Sequence, residues 1–540
     1  MIQEINGVYN LKVNNIFKYI FIFVVIGLIA FSLYSIYHKE ENETNKEEEN
    51  VVVEKPVVKT LRLGVSKYDT MNPILSKNKS IQYIDRIIFE PLLTINEDYS
   101  ISNCLAKEYS KTGDYSYLIK LRDDVKWHDG MDFVAKDVQF TIDRLKEEGI
   151  NSIYEENVKN IQMVEVIDDY TVKITLYEYD AFFNYNLIFP ILPYHYYIDE
   201  DFKNSEKTPI GTGMYKIAEV NSSNIVLSRN DNWWNKEKSM QIDSIIVNKY
   251  TSMGEVYNAF KIGNIDMIST GNSNFQQYIG TIGYNVTKYL GREFDFIAIN
   301  TQQGALANKE VRQAIDYAID KENIVATIYN DYTSSSYPLD NGHYLYDTGL
   351  TKRDYNPESA QKILEDNGWQ LKYRTWSKVE DYRYLKTSFS LVVNASNIKR
   401  VAVAEAIKNQ LAEVGIEINI RKVSDSQYRY YLENKNYDLI LTGMTISASP
   451  DLSIYFADNN LAQYWNEEVQ EIMQKLYNVN DERMLKDNFK RLQEIYIEDV
   501  PYVALYRNHE YVISSLTLIG DIKPNWYNNY YNMENWHRQN

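Results

Sequence analysis

The sequence predicts an α/β protein of two or more lobes, preceded by one N-terminal transmembrane helix. Three observations carry that prediction. The chain has 540 residues, too many for one compact domain. Beyond residue 59, short alternating strands interleave with amphipathic helical segments, the pattern of α/β layers. Residues 19–37, YIFIFVVIGLIAFSLYSIY, contain no charged side chain.

The apolar run is taken first because it comes first in the chain. Its about 19 residues are enough to cross the roughly 30 Å hydrocarbon core of a bilayer as a helix. Tyr19, Tyr34 and Tyr37 stand near its ends, where aromatic rings favour the headgroup zone. Lys12 and Lys18 precede it, and Glu40, Glu41, Glu43, Glu47, Glu48 and Glu49 follow. The positive-inside rule then places residues 1–18 in the cytoplasm and everything after His38 outside the cell. A cleaved signal peptide is the alternative, but its apolar core usually spans about 7–15 residues, and Ala30-Phe31-Ser32 is a poor cleavage site. No Cys lies near the run, which excludes a lipid anchor. Residues 38–58 are rich in Glu, Asn and Lys before ending in VVVEKPVV; they read as a disordered linker, with the fold starting near Thr60.

The ectodomain opens with Thr60-Leu61-Arg62-Leu63-Gly64-Val65, an alternating strand. Residues 81–93 carry apolar positions at helical spacing and stop at Pro91. Tyr117 to Leu121 is a strand, Trp127-His128-Asp129-Gly130 a tight turn, Asp137 to Leu145 a helix and Thr171 to Tyr177 a strand. Strands and helices then alternate over 243–249, 254–262, 294–300, 308–319, 357–367, 387–394, 400–414, 416–423 and 437–442.

Composition narrows the function. A net charge of −18 disfavours nucleic acid, which needs a basic face. The single cysteine, Cys104, rules out an intrachain disulfide and a Cys-based zinc site, and no signature marks it as a nucleophile. Six scattered His form no metal-ligand spacing, and no cofactor is expected. The 48 Tyr follow from AT-rich coding, or else line a recognition surface. No phosphate-binding loop, H-E-x-x-H or nucleophile elbow occurs. Ser76-Lys77-Asn78-Lys79 and Lys111-Thr112-Gly113 match two elements of penicillin-binding enzymes, but no acyl-transfer domain fits between them.

Another constellation runs through the chain in order. YLIKLRDDVKWHDGMDFVAKDVQFTIDRL at 117–145 is followed by Pro209-Ile210-Gly211-Thr212-Gly213-Met214-Tyr215 and by Asn232-Trp233-Trp234. Ile262-Gly263-Asn264-Ile265-Asp266 comes next, then Asn300 with Val311-Arg312-Gln313-Ala314-Ile315 and Ala318-Ile319-Asp320. Tyr355-Asn356-Pro357-Glu358-Ser359-Ala360 through Gly368-Trp369, Val414-Gly415-Ile416 and Tyr437-Asp438-Leu439 complete it. Over roughly residues 59–525 this series resembles the family 5 extracellular solute-binding proteins, with Met214 where the family's turn carries Pro. The motif glycines suit turns, and Asp137 suits a helix start, so the signature reads as scaffold.

The resemblance implies a periplasmic-binding-protein-like clamp and no enzyme. Lobe one would span 59–297, with an inserted subdomain at about 98–205, and be completed by 506–540; lobe two would span 298–505. The chain would cross between them near 296–301 and 503–509. The implied role is the substrate-binding subunit of an ABC importer, capturing short peptides for its permease and ATPase subunits. The same fold also takes nickel chelates, haem or oligosaccharides, and a membrane-bound peptide sensor is a further alternative. Family members approach the peptide backbone where Lys79 and Ser80 stand. The ammonium-binding Asp of relatives falls on Ser447 and their Trp on Met444; either Asp451 takes over the ammonium, or the ligand has no free amino terminus of that kind. A carboxylate-binding Arg of dipeptide binders falls near Asn394.

Overall fold

Burial follows the predicted alternation from the first strand. Thr60–Ser66 buries Leu61, Leu63 and Val65 and exposes the residues between them. The computed structural model describes residues 22–33, 57–201, 205, 207–271, 273–279, 283–350, 352–476 and 481–539. The chain divides into two units, 1–56 and 57–540. In the first, residues 22–33 form a helix with exposed apolar side chains, among them Phe23, Leu28 and Phe31. The rest of the predicted tail, anchor and linker up to residue 56 lies outside the described residues. Among the described residues, no helix is long and apolar enough to cross a membrane.

The second unit begins two residues earlier than the linker prediction allows. Val57–Val58 pairs antiparallel with Arg538 and Gln539, because the C-terminal strand His537–Gln539 offers an edge that the local composition could not announce. Three sheets then organise the chain. In the first, Thr60–Ser66 lies parallel to Ser244–Tyr250, followed by Asn224–Arg229 and Tyr215–Val220. The helix Lys79–Ile88 packs on it, with Asn78 capping its N-terminus by accepting from the Ser80 and Ile81 amides.

The second sheet is antiparallel: Ala106–Gly113, Ser116–Leu121, Thr171–Leu176 and Ile161–Asp168. The helix Ala135–Glu148 covers it, burying Val138, Ile142 and Leu145 against Ile119 and Ile174. This helix starts two residues before the predicted Asp137, which instead occupies its first turn and accepts the Val134 amide at 2.8 Å. Gly130 closes the preceding turn with a φ of +93°, a conformation that favours glycine.

The third sheet is the largest, in the order Met267–Thr270, Tyr502–Ser515, Tyr284–Ile299, Leu439–Thr445, Ser388–Asn394 and Glu417–Val423, with Thr333–Ser334 pairing beside Tyr502–Ser515. Tyr284–Ile299 extends ten residues before the predicted strand at 294, since its first half, from Tyr284 to Leu290, pairs with Ser515 back to His509. Both predicted chain crossings fall on this strand pair. Its register breaks between Leu290 and Phe294. There the Gly291 carbonyl accepts from Arg507 at 2.7 Å, and the Glu293 amide donates to Asn508 Oδ1 at 2.9 Å.

Candidate functional site

The end of the strand Leu439–Thr445 and the loop after it carry three of the six predicted site residues, and their position is set by what lies behind them. Gly443 pairs directly with Asp295 of the neighbouring strand. Asp295 is gripped in two-pronged fashion by Arg400, with Nε to Oδ2 at 2.8 Å and an amino group to Oδ1 at 2.6 Å. A Cβ at Gly443 would sit 1.9 Å from Asp295 Oδ1, so the close approach requires glycine. Beyond it, Met444 Sδ accepts from the Tyr455 hydroxyl. Ile446 exchanges hydrogen bonds with Arg292, its amide donating to the Arg292 carbonyl and its carbonyl accepting from Nε at 2.7 Å. Ala448 packs on a cluster holding Trp526, Ile188 and Tyr99.

Met444, Ser447 and Asp451 line one side of a cavity of about 670 Å³. The other side comes from the segment after Thr171–Leu176, including Tyr177, Asp180 and Phe182. Asp451 Oδ1 accepts from the Ser453 amide at 2.9 Å and hydroxyl at 2.6 Å, a turn that holds the carboxylate in place. Asp180 accepts from the Phe182 amide and from Asn186 Nδ2. Burial pushes the Asp180 carboxyl above the usual range; the Phe182 amide opposes this, and the Asp451 charge adds to it. Glu156 and Lys159 at the rim pair with each other. The cavity is therefore acidic and suits a cationic group.

A second cavity, of about 730 Å³, is lined by Asp98, Tyr99, Tyr289, Asp340 and Tyr531. Tyr99 is stacked between His343 at 5.5 Å and Trp526 at 6.0 Å. Its hydroxyl donates to Asp340, which also receives Arg507. Lys79 sits behind this cavity. Its Nζ lies 2.6 and 2.8 Å from the Glu510 carboxylate, which also accepts from the Tyr289 hydroxyl. Ser80 spends its amide on the Asn78 cap. Asn394 is bound to Asp425 and Ser396 at the far end of its strand and lines neither cavity. The structure thus groups Met444, Ser447 and Asp451, sets Lys79 and Ser80 apart, and leaves Asn394 outside. Sequence reasoning missed Asp180, Tyr99 and Arg292, none of which belongs to a local motif.

Comparison with known proteins supplies the context for this geometry. The family described as bacterial extracellular solute-binding proteins, family 5 Middle, matches residues 100–465. The chain belongs to this family. The oligopeptide-binding protein AppA of Bacillus subtilis is 24% identical over 487 residues, covering 86% of this chain and 89% of AppA. Among solved structures, HbpA2 from Haemophilus parasuis matches with a TM-score of 0.75 at 19% identity, over 89% of this chain and all of HbpA2. NikZ from Campylobacter jejuni, solved with Ni(L-His), matches with a TM-score of 0.58 at 22% identity, over 89% of this chain and 99% of NikZ.

As a family 5 solute-binding protein the chain is no enzyme, and its signature residues are tied up in structural hydrogen bonds. Glu90 is buried and accepts from Trp233 Nε1, Trp234 Nε1 and Thr212 Oγ1, which joins three motif residues at one carboxylate. Asp137 accepts from Trp127 Nε1 and the Tyr194 amide as well as Val134. Asp266 holds Arg62 through two nitrogens, and Asp438 accepts from the Ser390 amide and hydroxyl. Arg312 donates to the carbonyls of Leu306, Ala307 and Asp499. The first penicillin-binding-like element is likewise absorbed, as Ser76 donates to Asp69 and Lys79 pairs with Glu510, while Lys111-Thr112-Gly113 ends the strand Ala106–Gly113.

Proposed function

We propose that this family 5 protein is the extracellular capture subunit of an ABC importer, closing two lobes over a short peptide and delivering it to the permease. In this reading residues 59–297 and 506–540 form one lobe, residues 298–505 the other, and the run 19–37 ties the protein to the membrane. One observation carries it: Asp180 and Asp451 face one acidic cavity. Asp180 lies in the inserted subdomain of the first lobe and Asp451 in the second. A ligand whose cationic end engages both carboxylates stabilises the closed arrangement, and only contact with both lobes can do so. A peptide ammonium is such an end. AppA, the relative described above, is named an oligopeptide-binding protein, which supports the same ligand class.

Mass spectrometry of the ligand released from denatured protein tests this. A heterogeneous mixture of short peptides is expected; consistent recovery of one non-peptide solute overturns it. Retention of the protein in the membrane pellet after alkaline carbonate washing is expected of the anchor, and release into the supernatant counts against it.

A further inference from the structure

A third cavity, of about 280 Å³, runs along one face of the helix Lys79–Ile88. Gln82, Asp85, Arg86 and Phe89 line it, at the i, i+3, i+4 and i+7 spacing that defines one helical face. A buried face at this spacing is normally apolar, yet three of these four residues are polar. The cavity shares no lining residue with the Asp180–Asp451 cavity, and it adjoins the Tyr99 cavity through Asn96 and Tyr531.

Asp85 is 4% exposed, and neither of its carboxylate oxygens has a hydrogen-bond partner. Arg86 Nε also lacks one, while the guanidinium lies 3.7 Å from the Tyr527 ring centroid. A buried acceptor without a donor is costly, and a buried carboxylate more so. Glu90, in the same cavity wall, has both oxygens satisfied, so lining this cavity does not by itself leave a carboxylate unpaired. Burial drives the Asp85 carboxyl well above its usual range, with Arg86 opposing.

We propose that this cavity is a second binding site, for a zwitterion the size of a free α-amino acid, with its ammonium on Asp85 and its carboxylate on Arg86. The charge arithmetic selects that class. With Asp85 ionised by an incoming ammonium, Asp85 and Arg86 cancel; of the other charged lining residues, Lys238 and Glu534 pair with each other, and Glu90 is held by Trp233, Trp234 and Thr212. A lone cation would answer only Asp85, and a lone anion only Arg86, and either would leave a net charge in a buried space. A zwitterion answers both and adds no net charge. The volume is that of about nine water molecules at roughly 30 Å³ each, enough for a small amino acid.

Trp233 and Trp234 line the cavity and report on its occupancy. The test is intrinsic fluorescence of the full-length protein in detergent, titrated with L-alanine and separately with acetate and ethylammonium. A saturable change at millimolar alanine is expected, roughly tenfold weaker or worse with either half-ligand, and roughly tenfold weaker in Asp85→Asn. The response persists in Asp451→Asn, whose change lies in the other cavity, so failure of the peptide reading leaves this one standing. If Asp85→Asn does not fold, Arg86→Gln is expected to lose the same response. No saturable response in the native protein, equal responses to all three probes, or a crystal grown in alanine with only water between Asp85 and Arg86 overturns the proposal.

Discussion

Removing the Asp451 charge while keeping its turn isolates what the carboxylate does for a ligand. Asp451→Asn is the suitable change, because an amide oxygen still accepts from the Ser453 amide and hydroxyl and holds the loop. What disappears is attraction to a cationic group in the cavity. A hydrogen bond involving a charged group contributes about 1.5–3 kcal/mol net, and an exposed residue such as Asp451 belongs at the lower end. The loss should be about 1.5 kcal/mol, or roughly tenfold in Kd. Asp180 remains across the cavity and limits the damage. The assay is calorimetric titration with two versions of one short peptide, one with a free amino terminus and one acetylated. The native protein should favour the free form by more than tenfold, and the variant should keep a preference about tenfold smaller, the remainder coming from Asp180. If both peptides weaken equally, the loop has been disturbed and no ammonium contact is involved. If neither changes, Asp451 is not in the site.

Three further outcomes follow from the same geometry. Gly443→Ala drives a methyl group into the buried Asp295–Arg400 pair and should cost about 3–5 kcal/mol in urea unfolding, as breaking a buried pair does; a loss below about 1 kcal/mol refutes that packing. His128 and His343 are each held at about 4 by burial, with Nδ1 of each accepting a backbone N–H, from Gly211 and Leu345 respectively. Their pKa is depressed on folding, so the unfolded chain binds protons first. Stability is therefore full above about pH 6.5 and falls as pH drops toward 4, by about 2 kcal/mol per histidine at pH 5, and His343→Gln should flatten the urea midpoint between pH 7 and 5. Burial raises the Asp180 carboxyl, so affinity for a peptide with a free amino terminus should decline on acidification from a higher pH than an ordinary carboxylate would set, less so in Asp180→Asn; an identical decline in that variant assigns the effect elsewhere.

The elements that local chemistry specifies were legible from the sequence. Strands such as Thr60–Ser66 and Thr171–Leu176 bury every second residue, and helices such as Pro357–Asp366 start at a capping Asn with Pro in the first turn. Their ends shifted by one to three residues wherever the boundary depends on a distant partner. Tyr284–Ile299 is the extreme case. Its N-terminal half shows little alternation, with Asn285 and Gly291 as poor strand formers and Lys288 between them, yet Tyr502–Ser515 pairs with it along most of its length. Val57–Val58 was lost to the linker for the same reason.

The site was less legible than the scaffold, and the reason lies in what each must do. Glu90, Asp137, Asp266 and Asp438 each satisfy several fixed donors, so their identities are bound to neighbours at definite spacings and recur as motifs. A ligand-facing side chain has no such partner inside the protein, and its identity answers to the solute instead. Met444 and Ser447 stand where relatives were expected to carry Trp and Asp, and nothing in the fold resists that change: Met444 reaches Tyr455 through sulfur, and Ser447 closes a local turn with Ser449. In the proposed reading the acidic function falls to Asp451 and Asp180, residues separated by more than half the chain and joined only by the fold. A loop whose backbone course is fixed by Gly443 and Arg292 leaves the side chains at 444, 447 and 451 open to substitution without a change of fold. Restoring an acid at Ser447 should then add affinity for free amino termini without altering stability, and Ser447→Asp that binds free and acetylated peptides as the native protein does would separate this loop from ligand recognition.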